Sequence, residues 1–321
     1  KSDDKYIIMS SDVASYYPNL SIKNGFYPQH LTKEFCKVYE WLFEERKKIP
    51  KKNKRNGAYK LALNGTYGKS NDAYSFFYDP KFTMQITING QLLLTMLAEK
   101  LQDLGFEMIM INTDGLECKI PRDREQEYLK ICEEWMKLTN LTLEHGKYDK
   151  IVLRDVNNYI GVPFDGLPKY KGTFEIEKDI WKDPSFKIVQ IALSKYFIDN
   201  IPVETTIKNH TDIYDFCGRF KATQGWHSEI RYAKFDNNNN PYLQIDKLQK
   251  TNRYYISNNG AGYFKVHTDS REQLIEAGWG VTIFNDYIKK EMSDYNINYK
   301  YYINECMKII RVIEPEQLTL F

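Results

Sequence analysis

The sequence predicts an α+β fold in which helices back an antiparallel sheet. Three observations predict it. Strand-like apolar runs are interleaved with longer runs of helical periodicity, one strand ends in a carboxylate, and a second carboxylate sits in a hairpin turn. At 321 residues the chain can bury a substantial core and form two or three lobes.

In order, residues 5–12 read as a strand ending at Asp12, followed by a loop punctuated by Pro18 and Pro28. Residues 31–48 are amphipathic, with Phe35, Val38 and Leu42 near helical spacing, and Pro50 stops the helix. A second helix is expected over 57–67 with Gly68 as its C-terminal cap, so the two form a hairpin joined by a basic turn. Residues 82–104 predict a core helix ending at Gly105. Residues 106–111 and 116–120 predict two strands around the turn Asn112-Thr113-Asp114-Gly115. A helix over 122–138 follows, then strands near 141–147, 150–155, 157–162 and 168–175. Beyond 176 the pattern is less regular, with helices expected near 183–199, 270–276 and 281–292 and an exposed loop at Asp236 to Pro241.

Composition narrows the function classes. No run approaches the roughly 18 apolar residues of a membrane span, which excludes a helical membrane protein. The five cysteines contain no C-x-x-C pair, which argues for free packing thiols in a reducing compartment and against a zinc site. Net charge is only +2, but eight Lys or Arg and no acid lie between Arg46 and Lys60. That cluster suits polyphosphate or a nucleic-acid backbone, or else is a solvated loop. Lys1 stands directly before a strand, which predicts that the chain is the C-terminal part of something longer.

Three segments carry the chemistry: Asp12-Val13-Ala14-Ser15-Tyr16-Tyr17-Pro18, Lys60 to Gly68, and Asn112 to Gly115. Asp12 and Asp114, on neighbouring strands, would hold a pair of Mg²⁺ ions, with the Val13 carbonyl as a further oxygen ligand. Lys60, one helical turn before Asn64, would aim its ammonium at phosphates. Arg46, with Lys47 or Lys51, would supply a second grip. Taken singly, Asp12 is a turn residue, Tyr17 a core aromatic and Lys60 a solvated lysine. Their joint order points to nucleotidyl transfer.

At these residues the chain resembles the polymerase core of family B DNA polymerases. Its first segment matches their D-x-x-S-L-Y-P motif with Tyr16 at the Leu position. The second matches K-x-x-x-N-S-x-Y-G with Gly65 at the Ser position, and the third matches D-T-D with Asn112 for the first Asp. The resemblance implies a right-hand fold: an antiparallel-sheet palm (1–30 and 71–175), short two-helix fingers (31–70) and a mixed, mainly helical thumb (176–313). It implies Asp12 and Asp114 as metal ligands for two Mg²⁺, with Mn²⁺ as a substitute. Tyr17 becomes the steric gate against a ribose 2′-hydroxyl. Ser15, Tyr16, Arg46, Lys60 and Asn64 would line the incoming dNTP, and Tyr67, Gly68 and Thr113 the nascent pair. Asn157-Asn158-Tyr159 stands where the family has K-x-Y, and Lys169-Tyr170-Lys171-Gly172 resembles the lysine-glycine strand that follows. Tyr159, Lys169 and Lys171 would therefore contact primer–template DNA, and Arg253 stands among basic and aromatic thumb residues suited to a duplex backbone.

Asn112 removes one charge, and Glu117, two residues into the return strand, reads as an exposed strand residue, the alternative being that it adds negative charge to the site. The short intervals between the motifs leave no room for the insertions of protein-primed relatives, so ordinary primer use is expected. The chain ends Glu314-Pro315-Glu316-Gln317-Leu318-Thr319-Leu320-Phe321. Gln317, Leu318, Leu320 and Phe321 resemble the Q-L-x-L-F motif by which bacterial polymerases hold the β sliding clamp; the alternative is a terminal strand packed on its own domain. The expected function is template-directed DNA synthesis in the cytoplasm of a bacterial host cell, the compact fingers favouring a bacteriophage enzyme. The alternative is a clamp-tethered DNA-binding module whose catalysis is impaired at Asn112.

Overall fold

The strand Tyr6–Val13 (β1) organises the first half of the chain because it opens with an apolar run, is buried continuously from Ile7 to Ser11 and pairs on both edges. The computed structural model describes residues 1–177, 185–276, 278–286 and 290–315. It divides into two units, Lys1–Ile151 with Gly161–Lys169, and Val152–Ile160 with Tyr170–Phe321. Among the described residues no helix is long and apolar enough to cross a membrane.

In the first unit β1 is followed by α1 (Tyr16–Asn24), α2 (Glu34–Lys47), α3 (Lys54–Gly68), α4 (Pro80–Asp103), β2 (Glu107–Ile111), β3 (Gly115–Pro121) and α5 (Glu125–Thr139). Then come β4 (Leu143–Asp155), β5 (Asn158–Pro163) and β6 (Lys169–Tyr170), of which residues 152–160 and 170 are counted with the second unit, and the sheet has the order β2-β3-β1-β4-β5-β6. β1 runs antiparallel to β3 and β4, with Asp12 opposite Gly115 on one side and Glu144 on the other. Because side chains alternate, Ile7, Met9 and Val13 share one face with Leu116, Cys118 and Ile120. That face is the core, closed by Phe82, Ile86, Leu94 and Leu97 of α4 and Tyr128, Cys132 and Trp135 of α5. Trp135 is fully buried and donates from Nε1 to the Leu93 carbonyl at 2.8 Å, so truncating it to Ala would cost about 3–5 kcal/mol. Ser10, Asp12 and Glu117 lie on the opposite face.

Local signals explain the helix ends. Asp79 caps α4, its Oδ1 accepting from Phe82 N at 3.1 Å, with Pro80 in the first turn; Gly105, at φ +79°, lies just past its C-terminus. Asn53 caps α3 in the same way. The α2–α3 hairpin is held where Tyr39 donates to the Leu63 carbonyl and Asn56 Nδ2 donates to the Ile49 carbonyl at 2.7 Å.

Two expectations for this unit are corrected. Pro18 is not in a loop: it lies in the first turn of α1, where its missing N–H has no partner to lose. Gly68 is the last residue of α3 rather than its cap, and Lys69 ends the helix at a right-handed φ of −92°.

In the second unit, α6 (Lys187–Asp199) and α7 (Val203–Lys208) precede β7 (Gly218–Lys221), β8 (Trp226–Phe235), β9 (Pro241–Lys247), β10 (Thr251–His267), β11 (Glu272–Leu274) and β12 (Val281–Ile283), and α8 (Tyr299–Ile313) follows. The expectation of a mainly helical 176–313 is therefore wrong. Its centre is a six-stranded sheet, in which Glu272–Leu274 and Val281–Ile283 form β11 and β12 where helices are expected. The cause is β10. Its Asn258-Asn259-Gly260 reads as a break, but the strand only shifts register there, passing from β12 and β7 on one stretch to β8 and β11 on the next. A Cβ on Gly260 would lie 2.3 Å from the Gly280 carbonyl carbon, so this close approach needs glycine. Likewise Leu143–Asp155 is one strand, β4, where two are expected.

Candidate active site

Asp12 ends the outward face of β1, and Asp114 occupies the β2–β3 turn beside it. Val13 N donates to the Asp114 carbonyl at 2.7 Å, which locks the turn against the end of β1. The Asp12 carboxylate lies over the backbone of Gly115: a Cβ there would stand 2.1 Å from Asp12 Oδ1 and 3.0 Å from the Ser11 carbonyl. Both carboxylates are exposed. The Asn112 amide is turned into its own loop, where Oδ1 accepts from Thr113 N at 2.7 Å and from Thr113 Oγ1 at 3.1 Å.

Glu117 is corrected most sharply, because it is only 4% exposed. Its Oε1 accepts from Ser10 Oγ at 3.3 Å, and its Oε2 is buried with no partner among the described residues. Burial first, and then the neighbouring Asp12 charge, push its carboxyl up to about 7, against the Ser10 bond and the Lys169 charge. Glu144, opposite Asp12 on β4, adds another acid to the same face and meets Lys51 Nζ at 3.6 Å. Both acids escape motif reading because each is placed by strand register.

These groups fit a hard cation. Every donor is oxygen, and Gly115 leaves space where any larger residue would fill it. Among the described residues no three His, Cys, Asp or Glu side chains converge as a closed metal cage. Mg²⁺ does not ask for one, since it keeps several waters and binds through one or two carboxylates together with substrate phosphates.

Around this pair, Ser15 takes a left-handed φ of 49° and its Oγ accepts from Arg46 Nη1 at 3.1 Å. Arg46 also donates from Nε to Asn56 Oδ1 at 3.2 Å. Ser15, Arg46, Lys47, Lys51, Asn56 and Glu144 line a pocket of about 210 Å³, so both candidate lysines stand with Arg46. Lys60 and Asn64 are exposed one turn apart on α3. Tyr17 stacks on Tyr67 with ring centroids 4.3 Å apart. Burial, then Tyr67 and the Asp114 charge, raise the Tyr17 phenol above its ordinary value, so it stays protonated. Tyr16 is a core residue whose hydroxyl donates to the Gly90 carbonyl at 2.6 Å. Gly68 is exposed at the end of α3. Lys169 Nζ donates to Tyr148 Oη at 3.0 Å; that bond, and the charges on Asp12 and Glu117, hold its ammonium above the usual range against partial desolvation.

Tyr159, Lys171 and Arg253 belong to the second unit. There Lys171 N donates to the Tyr159 carbonyl at 3.0 Å, and a Cβ on Gly172 would meet Asn158 Oδ1 at 2.3 Å, so these two segments lie against each other. Gln317, Leu318, Leu320 and Phe321 lie outside the described residues.

No protein-family model matches the chain. It is 24% identical over 237 residues to DNA polymerase 1 of Pyrococcus abyssi (strain GE5 / Orsay), covering 60% of this chain and 31% of that protein. It is 26% identical over 169 residues to a DNA polymerase of Thermococcus sp. (strain 9oN-7), covering 41% of this chain and 22% of the relative. Among solved structures, the family B DNA polymerase of the hyperthermophilic archaeon Pyrobaculum calidifontis aligns with a TM-score of 0.52 at 14% identity, over 99% of this chain and 46% of that one.

The fold is similar to that of a family B DNA polymerase. The chain spans about a third or less of the length of these relatives, and its similarity to the archaeal polymerases is at low identity.

Proposed function

We infer that the chain is the polymerising core of a template-directed DNA polymerase, adding dNTPs to a primer 3′-hydroxyl. The observation that carries this reading is the β1–β3 register, which sets Asp12 over Gly115 while Val13 grips the Asp114 carbonyl. In this reading 1–30 and 71–175 are the palm, 31–70 the fingers and 176–313 the thumb. Asp12, Asp114 and the Val13 carbonyl would hold two Mg²⁺, and Glu117 would restore the charge absent at Asn112. When bound, such ions activate the hydroxyl and neutralise the leaving pyrophosphate.

The remaining groups bind and orient. Arg46, fixed by Ser15 and Asn56, and the neighbouring Lys47 and Lys51 form a cationic pocket for the triphosphate. Lys60 and Asn64 face the same substrate from α3. Tyr17, held by Tyr67, presents a rigid ring where a ribose 2′-hydroxyl would stand. Tyr159, Lys169, Lys171 and Arg253 would contact primer–template. The terminal Gln317 to Phe321 segment would dock on a bacterial β sliding clamp, which suits a phage or host replicase.

Primer extension by the purified chain with Mg²⁺ or Mn²⁺ is the test, and Asp114→Asn should abolish it. Asn112, whose amide is spent on its own turn, favours a second reading. If DNA binds but no dNTP is incorporated with either metal, the chain is a clamp-tethered binding module and the polymerase reading fails.

A further inference from the structure

The second unit holds a cationic pocket around Arg253, and a site there deepens the primer–template contact given to that residue above. Arg219 on β7 stands directly opposite Arg253 on β10 in antiparallel register, so the two side chains leave the same face of the sheet. Like charges so placed repel, and among the described residues neither guanidinium has an ion pair. Arg253 lies instead over the Tyr214 ring, 4.8 Å from its centroid.

Lys187 completes a wall of three cations in a pocket of about 490 Å³, a size suited to a small ligand. The acids nearby are already engaged. Lys187 Nζ meets Glu177 Oε1 at 2.7 Å, and Asp215, which lines the pocket, bonds His210 Nε2 at 2.7 Å. The back of the pocket is rigid. Buried Asn252 accepts from Asn285 Nδ2 at 3.0 Å, and Asn285 Oδ1 accepts from Arg253 N at 2.9 Å. Two opposed arginines on a fixed wall are an arrangement that an anion would stabilise, and the planar guanidinium suits phosphate oxygens.

We propose that Arg219, Arg253 and Lys187 form a phosphate-binding site in the second unit, separate from the carboxylates of the first. Two sources present the same chemistry, a free phosphate or pyrophosphate ion and the phosphodiester backbone of DNA. The site does not depend on the chain being an active polymerase.

The test uses the full chain, Arg253→Glu and Arg219→Ala. Arg253→Glu places a carboxylate opposite Arg219, so its thermal midpoint should match or exceed wild type while anion binding falls. Titration calorimetry with inorganic phosphate and with pyrophosphate, in EDTA, reads the free-ion arm, where at least a tenfold loss of affinity is expected. Anisotropy of a labelled duplex across a salt series reads the backbone arm, where the slope of log Kd against log salt should fall by about 1 for Arg219→Ala. A loss in either arm supports the site and names its source. If Arg219→Ala and Arg253→Glu both fold with wild-type thermal midpoints and leave both arms unchanged, the proposal is overturned. Should Arg253→Glu fail to fold, Arg219→Ala decides alone.

Discussion

Gly115 sits opposite Asp12 so closely that a single methyl group on its Cα would lie 2.1 Å from the Asp12 carboxylate oxygen. Gly115→Ala must therefore push the Asp12 side chain aside. Overpacking of this kind costs about 1–3 kcal/mol of stability, whereas moving a reacting group by an ångström costs about 10²-fold in rate. The expected result is a folded protein, by circular dichroism, whose primer extension falls about a hundredfold. Wild-type extension by a folded Gly115→Ala would remove Asp12 from the site.

Glu117 makes a prediction about pH. Its folded-state carboxyl titrates at about 7, above the ordinary 4.5, chiefly because it is buried and then because Asp12 is near. The folded state thus holds the proton more tightly than the unfolded chain. That contribution is fully present below pH 4.5 and is lost as pH rises through 7. In EDTA, Glu117→Gln should equal wild type near pH 4 and exceed it at pH 8 by up to about 3 kcal/mol, read from urea unfolding. Mn²⁺ should then raise the melting temperature of wild type more than that of the variant, because only wild type offers the buried charge. Equal Mn²⁺ shifts would leave Glu117 without a part in cation binding.

How much of this was legible depended on whether the signal was local. Asp12, Lys60, Asn64 and Asp114 lie in contiguous motifs, and β1, α4 and the β2–β3 hairpin declare themselves by period and by Asp79 and Gly105. Glu117 was hidden because Leu116, Cys118 and Ile120 mark one face of β3 as core, and alternation then assigns Glu117 to solvent. A strand pattern does not say that the second face is closed as well. β10 was hidden because Asn258-Asn259-Gly260 carries turn chemistry, while its actual use is a register shift beside Gly280, set by a contact distant in sequence.

The tail gives a prediction independent of the carboxylates. Removing Gln317 to Phe321 should leave distributive extension of a short primer unchanged, because Asp12, Asp114 and Glu117 supply the carboxylates. Stimulation by a bacterial β clamp on long templates should disappear. Equal stimulation of the truncated and full chains would rule the tail out as the tether.

Tyr17 and Tyr67 stack at 4.3 Å between ring centroids, with 29° between their planes. The stack ties α1 to α3 and holds the Tyr17 ring, which in the proposed reading would serve as a wall. A ring held only by its own rotamer would yield to an added hydroxyl, whereas a stacked one resists at a cost of about 0.5–1.5 kcal/mol for the aromatic pair. Tyr17→Ala should therefore admit ribonucleotides, raising rNTP relative to dNTP incorporation by well over tenfold. Tyr67→Ala should relax the same discrimination less, by roughly three- to tenfold, as the loss of 0.5–1.5 kcal/mol dictates. Single-nucleotide insertion kinetics with matched dNTP and rNTP measure both. If Tyr17→Ala leaves the ratio unchanged while the enzyme still extends primers, Tyr17 is not the gate, and the stack serves only to join the two helices.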